Sequence, residues 1–162
     1  MCNMSCMKKE VIAMAEDKIV FCLACGARNR VAAQQAHRIP KCGKCGTSLV
    51  HAPVSGKVNE LADGEFSHYV DEFHLPVLVD FYSPTCGPCR MLAPVLENLA
   101  GRYASKLVFY KVDTSRQQIQ ASRFRIQGVP SLLFIKYGKE VDRVVGAVPE
   151  GDLARKIEAF LS

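Results

Sequence analysis

At 162 residues, 49% of them hydrophobic, the chain has room for one ordinary core and a small appendage. Its net charge of +5 is unevenly placed: residues 19–58 carry Arg28, Arg30, Arg38, Lys41, Lys44 and Lys57 with no Asp or Glu, which leaves residues 59–162 at −1. No stretch approaches the roughly 20 apolar residues of a membrane span, and the run Val11–Ala15 is shorter than the roughly 7–15 residues of a secretory signal. The expectation is a cytoplasmic protein without a membrane partner, in which thiols stay reduced.

Residues 1–18 show no strand alternation and read as a mobile tail. They hold Cys2 and Cys6, and the run Met7-Lys8-Lys9 suggests that translation starts at Met7, which would remove both cysteines. Intact mass from the native host would decide this. Six of the eight cysteines fall in three Cys-x-x-Cys pairs, a spacing used for metals or redox chemistry more than for disulfide frameworks.

Two of those pairs lie in residues 19–50, as Cys22-Leu23-Ala24-Cys25-Gly26 and Cys42-Gly43-Lys44-Cys45-Gly46. Each turn lets two sulfurs face one ion, and the separation matches the four-cysteine zinc spacing. Cys22, Cys25, Cys42 and Cys45 are therefore expected to hold one structural Zn²⁺, which supplies folding energy that some thirty residues cannot obtain from a core. Two further redox disulfides are the alternative reading. Arg28, Arg30, His37, Arg38, Lys41 and Lys44 would be phosphate contacts if the ribbon met nucleic acid, but Phe21 is its single stacking aromatic, so no nucleic-acid partner is expected. His37, His51, His68 and His74 have no metal spacing among themselves.

Residues 51–58 read as a linker, rich in Pro, Ser and Gly. From 59 to 162 the pattern becomes regular. Asp63 is a plausible N-cap for a helix with Phe66, Tyr69, Val70 and Phe73 on one face. Val77–Tyr82 is an apolar run suited to a strand buried on both faces. Helical spacing follows from Cys89 through Leu99 to a stop at Gly101, with Pro94 expected to kink it. A strand at 107–112 and a polar helix over 115–124 complete a strand–helix–strand unit, which implies parallel neighbours. Two strands around 132–135 and 141–145 flank a Gly-containing loop at 137–140 and should be antiparallel. A last helix runs from Pro149 to Phe160. The fold class is α/β, with a mixed sheet.

The third pair, in Ser83-Pro84-Thr85-Cys86-Gly87-Pro88-Cys89, sits where the buried strand hands over to a helix. A helix N-terminus stabilises a thiolate, and thiolate is the species that attacks a disulfide. Cys86 is placed to attack and Cys89, one turn in, to resolve. Gly87 and Pro88 keep the connection short and stiff. Half of a metal site, or simply a pair of buried thiols, are the other readings, and for the metal no third or fourth ligand lies nearby in sequence. Asp80 interrupts an apolar strand, where a buried carboxylate suits either an acid–base role or a structural pair with Lys111.

These features together resemble the thioredoxin family over residues 59–162, and with the ribbon in front the bacterial thioredoxin-2 type over about residues 20–162. The resemblance implies a thioredoxin fold, a mixed central sheet flanked by helices, behind an N-terminal four-cysteine zinc ribbon. It implies a protein-disulfide reductase with a redox-active Cys86–Cys89 disulfide and no organic cofactor. An NADPH-dependent thioredoxin reductase would supply electrons, and oxidised proteins would be the substrates. Asp80 looks like the family's buried aspartate that handles the second cysteine's proton, and Lys111 like its partner. Val129-Pro130 looks like the cis-proline turn that holds the substrate backbone. Gly146 looks like the small residue of the substrate groove, which Thr85, Gly87 and Pro88 would also line. The chain departs from the family pattern at Tyr82 and Thr85, where thioredoxins usually carry Trp. Two other functions stay open: an oxidase or isomerase on the same fold, and a zinc-dependent binding module or holdase for which the fold is a scaffold.

Overall fold

The structure, a computed structural model, describes residues 17–32, 39–49, 53–73 and 75–162. The tail reading with Cys2, Cys6 and Met7, and His37, His51 and His74, fall outside these residues.

The basic segment begins with an antiparallel pair, β1 (Lys18–Phe21) and β2 (Arg28–Val31). Its own buried cluster is Val20, Cys22, Cys42 and Leu49, too little apolar surface to hold a fold by itself. Phe21 points the other way, 1% exposed among Leu61, Tyr69 and Tyr110 of the larger unit. Part of the expected linker is paired backbone: Val54 bridges Val20, and the Ser55 N–H donates to the Ile19 carbonyl at 2.7 Å. Asn59 fastens this strap, its amide group accepting from Val54 N–H at 2.9 Å and donating to Val54 C=O at 3.1 Å. The Ser55 hydroxyl donates to the Ala104 carbonyl at 2.5 Å.

Five strands form the main sheet: β3 (Val58–Glu60), β4 (Val77–Tyr82), β5 (Val108–Asp113), β6 (Ser131–Lys136) and β7 (Lys139–Val145), in the order β3-β5-β4-β6-β7. β3, β5 and β4 run parallel, and β6 and β7 are antiparallel additions, so the sheet is mixed as expected. The helices are α1 (Gly87–Arg102), α2 (Gln118–Arg123) and α3 (Glu150–Leu161). Strand alternation sends Val77, Val79 and Phe81 to one face with Phe66, Phe73 and Phe124. Leu78 goes to the other, with Leu92, Leu96 and Leu99 of α1 and Leu153 and Ile157 of α3. Both faces are covered, which is why β4 reads as an unbroken apolar run.

Several elements differ in detail from the sequence reading. The helix expected from Asp63 is a 3₁₀ turn, Asp63–Glu65, followed by a wide π turn, Ser67–Asp71. Phe66, Tyr69, Val70 and Phe73 are buried all the same, and Pro76 limits the segment because the residue before a proline favours extended backbone. Asp63 caps a different helix: its carboxylate accepts from the backbone N–H groups of Ile119 and Gln120, both at 3.0 Å, at the start of α2. Helix α1 runs unbroken through Pro94 and past Gly101 to Arg102. The β6–β7 turn is only Tyr137-Gly138, both at positive φ, as the two-residue hairpin turn requires. Asp71 backbone lies so close to Gly138 that a Cβ would meet it at 2.7 Å.

Candidate active site and metal centre

The parallel strands β4 and β5 end side by side, and α1 starts one short turn beyond β4, so the Cys86 pair stands at the carboxyl edge of the sheet. Cys86 is the N-cap of α1 and is joined to Cys89 by a disulfide, with the two Cα atoms 5.3 Å apart. Its Sγ accepts the Cys89 backbone N–H at 3.1 Å. A cap sulfur bonded to one of the four unpaired N–H groups at a helix start sits in the helix's positive field. Cys89 is 4% exposed, Cys86 is half-buried, and Thr85, Gly87 and Pro88 are exposed around them. The Val129-Pro130 peptide bond is cis, and the Val129 carbonyl oxygen lies 3.7 Å from the Cys86 Sγ. Gly146, at φ +90°, donates its N–H to the Pro130 carbonyl at 2.8 Å. The cysteine turn, the cis-proline turn and Gly146 thus meet along one edge.

Asp80 lies in β4 at 4% exposure, and its Oδ1 has no hydrogen-bond partner. Burial pushes its carboxyl up to about 7, against an opposing pull from the Lys111 ammonium. Lys111 is its register neighbour on β5. The ion pair that the ammonium makes is nevertheless with Glu60 of β3, at 3.3 Å, and it also stands 5.7 Å from the Tyr82 ring centre. Glu60 was not legible from sequence as part of this site, because a three-residue edge strand has too little alternation to be recognised. A cleft of about 270 Å³, lined by Glu60, Tyr82, Lys111 and Asp113, opens this corner to solvent.

In the ribbon, Cys22, Cys25, Cys42 and Cys45 bring their sulfurs within 4.8 Å of one another. Cys22 and Cys45 are 3.5 Å apart, and Cys25 and Cys42 are 3.7 Å apart. Tetrahedral zinc with sulfur at about 2.3 Å needs sulfur–sulfur edges of about 3.8 Å, so the donor set fits Zn²⁺. The two knuckles are built alike. Cys22 N–H donates to the Ala27 carbonyl and Cys42 N–H to the Thr47 carbonyl, both at 2.8 Å, and Gly26 and Gly46 follow each second cysteine at positive φ. Backbone N–H groups of Cys45 and Lys44 aimed at Cys42 hold its thiol down at about 6. Asn29 links the knuckles: its side chain donates to Cys42 Sγ at 3.5 Å and accepts from Gly43 N–H at 2.9 Å. Nothing in the spacing of the cysteines marks Asn29, since its partner arrives from a separate turn.

Among the described residues no helix is long and apolar enough to cross a membrane. The family model described as thioredoxin matches residues 57–159, and the one described as thioredoxin 2, N-terminal, a zinc ribbon, matches residues 21–47. A thioredoxin of Synechocystis sp. is 42% identical over 102 residues, which are 63% of this chain and 95% of that protein. Thioredoxin 1 of Synechococcus elongatus is 43% identical over 101 residues, 62% of this chain and 94% of its own length. The chloroplastic thioredoxin M-type of Pisum sativum is 40% identical over 114 residues, 70% of this chain. The chain spans 66% of the pea protein and 59% of its spinach counterpart, less than two thirds of each. With a match across residues 57–159 and relatives above 40% identity covered almost end to end, the chain belongs to the thioredoxin family and carries the zinc ribbon of thioredoxin 2 in front.

Proposed function

We propose that the protein is a thiol–disulfide oxidoreductase working as a protein-disulfide reductase. The observation that carries this reading is the Cys86–Cys89 pair at the start of α1, with Cys86 capping the helix beside the Val129 carbonyl. In the reduced protein the Cys86 thiolate attacks one sulfur of a substrate disulfide, forming a mixed disulfide and releasing the substrate's other sulfur as a thiolate. Asp80 takes the proton from the buried Cys89 thiol. The Cys89 thiolate then attacks the Cys86 sulfur, forms the Cys86–Cys89 bond and expels the second substrate thiolate. Two electrons pass to the substrate, and an NADPH-dependent thioredoxin reductase returns them. Thr85, Gly87, Pro88, Val129, Pro130 and Gly146 line the groove in which an oxidised protein substrate would lie, with Lys111 acting on Asp80.

Residues 19–50 form the ribbon and 59–162 the catalytic domain in this reading, with residues 51–58 joining them. Cys22, Cys25, Cys42 and Cys45 would hold one zinc ion. When bound, it would supply a cross-link between the two knuckles and no redox chemistry. Four cysteines kept as zinc thiolates rather than joined as disulfides would suit a reducing compartment such as the cytoplasm.

Insulin-disulfide reduction with dithiothreitol tests the reading. Wild type should be active and Cys86→Ser inactive, and reduced Cys89→Ser mixed with insulin after dithiothreitol is removed should accumulate a mixed disulfide visible by mass, with about one zinc retained in all three. Equal activity of wild type and Cys86→Ser would refute it.

A further inference from the structure

The parallel register opposes Glu60 of β3 to Lys111 of β5, and Asp80 of β4 to the same Lys111. Three charged residues therefore stand in one row across three adjacent strands, with the cation in the middle. Alternation puts the row on the face of Leu78 and Phe109, which α1 covers. Its two ends are unlike. Asp80 is buried with an unpartnered Oδ1, whereas Glu60 is exposed and holds the Lys111 ammonium at 3.3 Å.

The other charged groups around the row are engaged locally or lie at its margin. Asp113 of β5 accepts from the Ser115 N–H and hydroxyl, at 2.9 and 2.6 Å. Glu65, in the turn after β3, accepts from the Ala62 N–H at 3.1 Å. Arg116 borders the same cleft, Tyr82 of β4 lies beneath the ammonium, and α1, which begins at the Cys86–Cys89 turn, packs on this face of the sheet. Glu60 is thus the carboxylate that competes with Asp80 for Lys111.

We propose that Glu60 is a positioning residue of disulfide exchange: it holds the Lys111 ammonium at the outer end of the row, so that Asp80 accepts the Cys89 proton and passes it to solvent. This rests on Asp80 being the acid–base group. An ammonium drawn fully onto Asp80 would favour its ionised form and make it a poor base. The proton balance is simple: Cys89 thiol and Asp80 carboxylate become Cys89 thiolate and Asp80 carboxylic acid, and solvent restores the carboxylate.

The experiment is a carbon-13 carboxyl titration of Asp80 in the full-length, zinc-loaded, oxidised protein. Wild type, Glu60→Gln, Lys111→Met and the double variant are compared, with the pH profile of insulin reduction recorded on each. Glu60→Gln should lower the Asp80 midpoint by about one pH unit and shift the acid limb of the profile the same way. In the Lys111→Met background the same substitution should leave the midpoint nearly still, because the ammonium through which Glu60 acts is gone. An unmoved midpoint in Glu60→Gln, or an equal shift in both backgrounds, overturns the positioning role. A midpoint that moves under an unchanged activity profile overturns Asp80 as the proton acceptor and leaves the placement of Lys111 by Glu60 standing.

Discussion

Replacing Asp80 by Asn should stabilise the protein, and by more as the pH rises. Burial lifts the carboxyl from an ordinary value near 3.8 to about 7. The folded state therefore binds the proton more tightly than the unfolded chain, and folding stability is lost as the pH climbs from about 3.8 towards 7. Above the folded value the cost is complete. At about 1.4 kcal/mol for each unit between the two values, it is on the order of 4 kcal/mol. Asn carries no charge at any pH and escapes this loss. Urea unfolding of oxidised wild type and Asp80→Asn between pH 5 and 8.5 should show a gap that widens by roughly 3 kcal/mol across the range, with m unchanged. A constant gap would refute the argument, because it would mean that Asp80 does not take up its proton within the folded protein. On the proposed role of Asp80 as acceptor of the Cys89 proton, the same variant should also reduce insulin more slowly at neutral pH.

Two further substitutions test how the pieces hold together. Phe21→Ala removes a side chain that is 1% exposed in the core of the larger unit while its neighbour Cys22 belongs to the zinc knuckle. It should cost about 3–5 kcal/mol in urea unfolding and speed zinc loss to a chelator, and a wild-type unfolding midpoint would show that the ribbon is not docked through Phe21. Asp63→Ala removes the acceptor for two N–H groups of the six-residue α2 and should lower stability by about 1–2 kcal/mol. Amide exchange at Ile119 and Gln120 should rise selectively, and uniform protection in the variant would contradict the capping role.

Asp63 also shows why a correct residue can be read into a wrong place. Its chemistry as a helix cap was legible, but the helix it caps is α2, brought alongside by the pairing of β3 with β5. The same pairing makes Glu60 a neighbour of Lys111. Neither contact leaves a local trace, because β3 is only three residues long and its partners come from a distant segment. Pro, Ser and Gly in residues 51–58 predict a linker, yet Val54 and Ser55 pair with β1. Composition reports what a backbone tolerates, and hydrogen-bond partners arriving from elsewhere decide what it does.

The amino-acid sequence by itself determined the elements whose rules are local. Two Cys-x-x-Cys knuckles with following glycines define a four-sulfur site, because bond geometry within each turn aims both sulfurs one way. The apolar run Val77–Tyr82 ending in Cys86-Gly87-Pro88-Cys89 defines a buried strand feeding a helix, because periodicity and proline tolerance act over a few residues. Tertiary structure alone decided which carboxylate Lys111 meets, how deeply Asp80 is buried, and that Phe21 belongs to the larger core while Cys22 belongs to the ribbon. Those outcomes depend on strand order and desolvation, which are properties of segments far apart in the chain brought to one place.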